Sequence, residues 1–303
     1  MKTKTFYSNG KLLISGEYVV LDGALSLAVP TKYGQSLDIE PIEASQIIWE
    51  SFDDIGQSWY QDTFLLLNGT IEQTKNDETS NRLLQIFNAI KVLNPDFLKT
   101  NQGYKLNTKL DFPTNWGLGT SSTLINNMAQ WASINPYQLL EATFGGSGYD
   151  IACAQHNTPI TYKLMDNQPK VQAVDFAPSF KNNLYFVHLN KKQNSREGIK
   201  HYRENKAISK SRIKEIDVLT LEMINSTTLK HFESLIQKHE SIISKITNQT
   251  PIKEVLFNDF SGNIKSLGAW GGDFVLVATK SNPESYFKQK GYHVIIPYND
   301  MIL

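Results

Sequence analysis

The apolar positions of the first half of the chain fall in short alternating or β-branched runs. They span Lys11–Leu21, Leu25–Pro30, Gln35–Ile39, Gln46–Phe52 and Ser58–Leu67, with turn residues between them. That pattern predicts strands. Pro41 closes the third run, and after Leu67 the period changes. Leu83, Phe87 and Ile90 share one face of a helix predicted over Asp77–Asn94, which Pro95 stops. Tyr104–Phe112 alternates as a strand again. Helices are predicted over Ser121–Ile134, over Pro136–Phe144 with proline in its first turn, and over Tyr149–Gln155. Gly145-Gly146-Ser147-Gly148 separates the last two. A strand at Ile160–Leu164 precedes the polar stretch Met165–Ser179, which carries Pro169 and Pro178. Asn183–Leu189 reads as a further strand. Leu229–Ile246 is strongly amphipathic, with Leu229, Phe232, Leu235, Ile236, Ile242, Ile243 and Ile246 at helical spacing. Apolar strands at Asp273–Thr279 and Tyr292–Pro297 flank a helix near Pro283–Lys290. Strands and helices alternate behind a β-rich start, so the class is α+β. The polar stretch is the expected domain junction, dividing residues 1–170 from 171–303. No internal repeat is visible.

Composition narrows the partners. The chain has 303 residues, enough for two domains with a sizeable core. Lys+Arg and Asp+Glu both number 30, and no dense basic stripe breaks that balance. Nucleic acid is therefore not an expected partner. The single cysteine, Cys153, rules out an intrachain disulfide and lies one helical turn beyond Asp150, where burial is expected. The Cys and His positions have no zinc spacing. The N-terminal residues lack an apolar signal core, and no run approaches membrane-spanning length. The expectation is a cytoplasmic protein with no membrane partner.

The segment with the clearest chemistry is Gly117-Leu118-Gly119-Thr120-Ser121-Ser122, between a predicted strand and a predicted helix. A helix that opens after glycines leaves backbone N–H groups without partners, and these favour an anion such as phosphate. The three hydroxyls could bind phosphate oxygens or a metal held by them. An ordinary capped helix start is the competing reading. Three other segments carry comparable signals. Asn9–Tyr18 places Lys11 and Glu17 at opposite ends of an apolar run. Gly145-Gly146-Ser147-Gly148-Tyr149-Asp150 puts a carboxylate after a glycine run, where a helix cap would also place one. Gly262–Asp273 is glycine-rich ahead of a strand, as many loops are.

Taken together and in this order, the four segments resemble the motifs of the GHMP small-molecule kinase superfamily. That superfamily includes galactokinase, homoserine kinase, mevalonate kinase and phosphomevalonate kinase. Asn9–Tyr18 is similar to its Gly-Lys…Gly-Glu-His motif, Gly117–Ser122 to its Gly-Leu-Gly-Ser-Ser-Ala phosphate loop, and Leu267–Gly272 to its third, glycine-rich loop. Gly148-Tyr149-Asp150-Ile151-Ala152 most closely resembles the mevalonate-kinase-like GYDIA-type GHMP kinases. The resemblance runs over nearly the whole chain. It implies a two-domain α+β fold, with an N-terminal ribosomal-protein-S5-like domain holding the ATP phosphate loop and a C-terminal ferredoxin-like domain. It implies ATP with Mg²⁺ as cofactors and transfer of the γ-phosphoryl to a small-molecule phosphate acceptor.

Carried over by position, the resemblance assigns Gly117, Leu118, Gly119, Thr120, Ser121 and Ser122 to the nucleotide phosphates and Ser121 to Mg²⁺. Asp150 matches the catalytic aspartate and Lys11 the lysine beside the acceptor. Glu17 and Tyr18 fall in the substrate-side first motif, with tyrosine where many members have histidine. Gly268, Ala269 and Gly271 fall in the third loop. The departures are specific. Asn115-Trp116 replaces small residues before Gly117, and Trp116 either packs over adenine or fills core. Trp270 and Asp273 tighten the third loop and add negative charge near phosphates. A second Mg²⁺ carboxylate has only Glu141 as a candidate, whose spacing matches poorly and which reads more readily as a solvated helix residue. The basic loop from Lys191 resembles a segment near the acceptor site of phosphomevalonate kinases. There Lys192, Ser195 and Arg196 either bind an anionic group or form a solvated charge run.

The expected activity is ATP-dependent phosphoryl transfer to a mevalonate-like or phosphomevalonate-like acceptor. The alternatives are an ATP-dependent decarboxylase of the mevalonate-diphosphate type and a non-catalytic nucleotide or metabolite sensor. A Walker-type NTPase is disfavoured, because Gly-x₄-Gly-Lys-[Ser/Thr] does not occur. A homodimer is left open.

Overall fold

The computed structural model describes residues 2–67, 69–100, 102–193, 195–204 and 210–303, without the side chains of Ser195 and Arg196. The chain forms two compact units whose segments interleave. The first takes residues up to 10, 33–114 and 118–155; the second takes 11–32, 115–117 and 156–303.

In the first unit, the early part of β1 (Lys4–Leu13) and the later part of β2 (Ser26–Ile42) join β3 (Gln46–Phe52), β4 (Ser58–Leu67), β5 (Thr70–Gln73) and β6 (Gly103–Leu110). The sheet order is β5-β4-β3-β6-β2, with β1 beside β2. β3 and β6 pair in parallel, while β2–β6, β3–β4 and β4–β5 are antiparallel. β3 alternates strictly, burying Ile47, Trp49 and Ser51, as a half-covered strand should. Its covered face meets α1 (Glu78–Leu93), α2 (Thr120–Ala132), α3 (Pro136–Thr143) and α4 (Tyr149–Gln155). Asp77 caps α1 by accepting from the Ser80 N–H at 2.8 Å. Leu83, Phe87 and Ile90 of that helix then pack on Trp49, Phe64 and Leu106.

In the second unit, the start of β2 pairs with β7 (Ile160–Met165), which pairs with β8 (Gln168–Ala173). Asp166 and Asn167 join them with φ of 52° and 59°, the signature of a two-residue type I′ hairpin. The polar stretch after 165 therefore holds a hairpin, and the chain passes between units elsewhere. The second sheet contains β9 (Leu184–His188), β10 (Asn263–Ser266), β11 (Phe274–Ala278) and β12 (Ile295–Pro297), in the order β10-β11-β9-β12. All its pairs are antiparallel. With helices between β9 and β10 and between β11 and β12, this is the ferredoxin-like arrangement. The helices are α5 (Ser195–Glu204), α6 (Lys210–Ile224), α7 (Leu229–Thr247), α8 (Ile252–Leu256), α9 (Glu284–Gln289) and α10 (Tyr298–Met301). α7 buries Phe232, Leu235, Ile236 and Ile243 on its apolar stripe, with His239 and Glu240 among them.

Two elements depart from the pattern-based expectation. Residues 12–20 are buried without interruption, so alternation cannot locate a strand there. The strand lies earlier, at Lys4–Leu13, and Gly16 and Tyr18, with φ of 85° and 62°, turn the chain into a single helical turn at Val19–Asp22. Gly34 also does not separate two strands. A Cβ there would stand 2.4 Å from the Ser8 carbonyl oxygen and the Tyr7 hydroxyl, so glycine lets β1 and β2 approach while β2 continues. No helix among the described residues is long and apolar enough to cross a membrane.

Candidate active site

Helix α2 opens without a side-chain cap. Its N-cap is Gly119 in a left-handed conformation, φ 98° and ψ 40°. The Thr123 N–H makes the first helical bond, to the Gly119 carbonyl at 3.0 Å. The N–H groups before it therefore have no intrahelical acceptor. The hydroxyls divide into two sets. Ser122 Oγ donates to the Gly119 carbonyl at 2.8 Å and Thr123 Oγ1 donates to Gln35 Oε1 at 2.7 Å, so both face inward. Thr120 is half-buried and Ser121 is exposed at the helix tip. Leu118, fully buried, anchors the turn. A helix start of this kind carries positive potential and open N–H donors, which suits a phosphate.

A buried polar chain fixes that helix. Ser8 Oγ donates to Asn127 Oδ1 at 2.7 Å, and Asn126 Nδ2 donates to Ser8 Oγ at 2.8 Å. Asn127 Nδ2 donates to the Gln35 carbonyl at 2.9 Å. Gln155 Nε2, at the end of α4, donates to Asn126 Oδ1 at 3.1 Å. Hydrogen bonds in a dry interior have direction as well as strength, so they set the helix position more sharply than apolar contact alone. The same chain ties α2 to α4, whose first turn carries Asp150. Asp150 is half-buried, with Oδ1 inaccessible to solvent, while the next four residues of α4 are buried, Cys153 among them. Glu141 is exposed on α3, and no cluster of three His, Cys, Asp or Glu gathers among the described residues.

The second unit brings Lys11, Gly117 and the third loop together. Lys11 Nζ donates to the Gly117 carbonyl at 3.2 Å. The carboxylate of Asp273 lies against Gly117, so closely that a Cβ on the glycine would stand 2.2 Å from its Cγ. Burial pushes the Asp273 carboxyl above the usual aspartate range, and the Lys11 ammonium pulls it part of the way back. Trp116 is half-buried, edge-on to Phe274 at 5.3 Å between centroids and tilted against His188. His188 Nε2 donates to the Asn115 carbonyl at 3.1 Å, holding the approach to the turn. In the third loop Gly268, Trp270, Gly271 and Asp273 all have positive φ, between 51° and 80°. Lys192 is exposed; the side chains of Ser195 and Arg196 lie outside the described set.

Tyr18 connects the first motif to the third loop. Its hydroxyl donates to the Ala269 carbonyl at 2.7 Å, and its ring stacks on Tyr202 of α5. Glu17 is fully buried and faces the interior. It pairs with Lys265, itself without solvent exposure, while Glu240 lies 3.7 Å from the same ammonium. His239 Nε2 accepts from the Gly16 N–H at 3.1 Å, so its hydrogen sits on Nδ1. Glu17 Oε2 is 3.4 Å from that same nitrogen, an acceptor facing an acceptor unless the carboxyl carries a proton. Burial pushes Glu17 up to about 7 against the pull of Lys265, raises Glu240, and holds His239 well below the usual histidine range.

No family model matches the chain, and no curated protein sequence does. Solved structures do. The mevalonate kinase of Methanococcus jannaschii matches with a TM-score of 0.69 over 96% of this chain and 95% of its own, at 18% identity. The Streptococcus pneumoniae phosphomevalonate kinase, in complex with phosphomevalonate and AMPPNP, matches at 0.67 over 99% and 98%, with 12% identity.

The chain has the GHMP kinase fold.

A mevalonate diphosphate decarboxylase from Legionella pneumophila also matches, at 0.59 over 97% of this chain and all of its own, with 13% identity. At these identities the GHMP kinase fold is shared and the acceptor is not specified. Within that fold, pattern reading passed over Asn126, Asn127, His239, Glu240 and Lys265. The paired asparagines and the His-Glu pair interrupt otherwise apolar helix faces, and that interruption was the available signal.

Proposed function

We propose that this chain is an ATP-dependent small-molecule kinase acting on a mevalonate-like or phosphomevalonate-like acceptor. The observation that carries the reading is the start of α2, a helix of 13 residues capped by a left-handed glycine with no side-chain bond and opening with four hydroxyl residues, Thr120 to Thr123. A nucleotide phosphate completes such an end. The GHMP kinase fold, shared with a phosphomevalonate kinase that binds phosphomevalonate and AMPPNP, supports the same reading.

When bound, ATP supplies the transferable phosphoryl group and Mg²⁺ offsets its charge. The open N–H groups of α2, with Thr120, would hold the phosphates, and the exposed Ser121 hydroxyl suits Mg²⁺. That ion is commonly held by few protein groups together with substrate phosphates. Asp150 would accept the proton of the acceptor hydroxyl. Lys11 would stabilise the charge that develops on that oxygen. Tyr18, through Ala269, would shape the acceptor side.

The test is an ATP-consumption screen with Mg²⁺ over mevalonate, phosphomevalonate, diphosphomevalonate, homoserine and simple sugars, with product masses read. A phosphorylated mevalonate derivative is expected, and Asp150→Asn should bind nucleotide while losing most turnover. Release of CO₂ from diphosphomevalonate would replace the kinase with a decarboxylase. Phosphorylation of homoserine or a sugar alone would overturn the acceptor. Nucleotide binding without turnover on any compound would leave a sensor.

A further inference from the structure

We infer that Asp273 is a positioning residue for Lys11, its carboxylate holding the lysine ammonium against the turn at Gly117. For its effect on turnover, this rests on the kinase reading above; the placement of Lys11 does not.

The backbone of Asp273 is pinned on both sides. Its N–H donates to the Lys191 carbonyl at 2.7 Å, and its own carbonyl accepts from the Leu189 N–H at 2.8 Å. Its φ is 51°, a conformation that aspartate tolerates better than most residues. The side chain is aimed as well, because Oδ1 accepts from the Gln193 N–H at 3.2 Å. So held, the carboxylate lies on Gly117, where the φ of 67° and the lack of a side chain leave room for it. Lys11 reaches the carbonyl of that same glycine. One residue thus gathers the first motif, the glycine turn, the third loop and the basic loop at 191–193.

An acidic group beside a turn that binds phosphate opposes nucleotide binding by simple repulsion. Its presence therefore calls for a compensating role. A purely structural one would be met by asparagine, which accepts the same Gln193 bond and tolerates the same φ. What asparagine cannot supply is the charge that keeps a flexible ammonium in one place.

Asp273→Asn separates the two roles, and Asp273→Gly, which adopts a positive φ freely, serves if the amide folds poorly. Two readouts are compared with the unaltered protein. The first is the acylation rate of Lys11 by an amine-reactive ester at pH 8, from peptide mass spectrometry, normalised to the exposed Lys99. A rise of at least threefold is expected in either variant. The second is steady-state kinetics, where kcat should fall at least tenfold while KM for ATP stays level or falls. Unchanged Lys11 acylation in a folded variant overturns the proposal, as does an unaltered kcat. A protein with no ATP turnover on any acceptor, but with raised Lys11 acylation in the variants, would sink the kinase reading and leave the positioning role standing.

Discussion

Replacing Lys265 by methionine should be the most costly single change in the second unit. The side chain has no solvent exposure, and its ammonium contacts Glu17, lies 3.7 Å from Glu240 and donates to the Ser266 carbonyl at 3.0 Å. Methionine fills nearly the same volume, so cavity formation contributes little. The loss is electrostatic: two buried carboxylates remain with no cation between them. Breaking a buried pair in this way costs about 3–5 kcal/mol. Protonation limits the loss, and that gives the prediction its sharper form. Burial already raises Glu17 to about 7, and Lys265 is the largest influence holding it down. Without the lysine the folded variant keeps a proton on Glu17 well above neutrality, while the unfolded chain does not. A carboxyl raised in the folded state stabilises most at low pH, and its contribution is lost as pH rises through the folded value. The variant's deficit should therefore grow with pH above 7, by up to ~1.4 kcal/mol per unit for one retained proton. Urea denaturation at pH 6, 7, 8 and 9 measures this, with an unchanged m-value as the check on two-state behaviour. Adding Glu17→Gln to Lys265→Met should recover part of the loss. A deficit under about 1 kcal/mol, or one that does not vary with pH, would refute the assignment.

Other outcomes follow from the same geometry. Gly117→Ala places a Cβ 2.2–2.5 Å from the Asp273 carboxylate atoms at a φ of 67°. It should weaken Mg·ATP binding more than tenfold by calorimetry. Gly56→Ala, at a φ of 80° with no atom within 4 Å, should leave binding unaltered. His239 is held well below its usual range by burial. Its contribution to stability is thus present above about pH 6.5 and lost as the medium becomes more acid, where the unfolded chain gains a proton first. His239→Gln keeps an acceptor for the Gly16 N–H, and between pH 7 and 5 it should lose less stability than the unaltered protein in the same denaturation assay.

What could be read from the linear pattern depended on how far apart the interacting residues lie. α1 was legible because its cap, its apolar face and Pro95 all fall within one short segment. The uncapped helix start at Gly119 was legible for the same reason, since glycines and hydroxyls sit side by side. Asp273 was visible as a charge out of place in a glycine loop. Its contact with Gly117 was not, because it depends on the backbone turn at positive φ. The Glu17–Lys265 pair spans 248 residues, and neither residue differs locally from a solvated one. The start of β1 was misplaced because a run buried on every side has no period to follow. The runs Leu25–Pro30 and Gln35–Ile39 read as two strands for a related reason: the glycine in the gap between them, Gly34, marks close strand approach as readily as it marks a turn.

The interleaving of the two units bears on how the chain is made. Every segment of the first unit has been synthesised once residue 155 is joined, so that unit can close early on the ribosome. Residues 11–32 must wait for the rest of theirs. Glu17 in particular stays without its buried cation until Lys265 emerges, and the long loop that joins them makes closure slow. An apolar segment left waiting in this way is open to aggregation and to chaperones while the rest of its unit is made. Products terminated before 265 should accumulate with a folded first unit and a protease-sensitive stretch over residues 11–32, because the Glu17–Lys265 pair forms only once synthesis has passed residue 265.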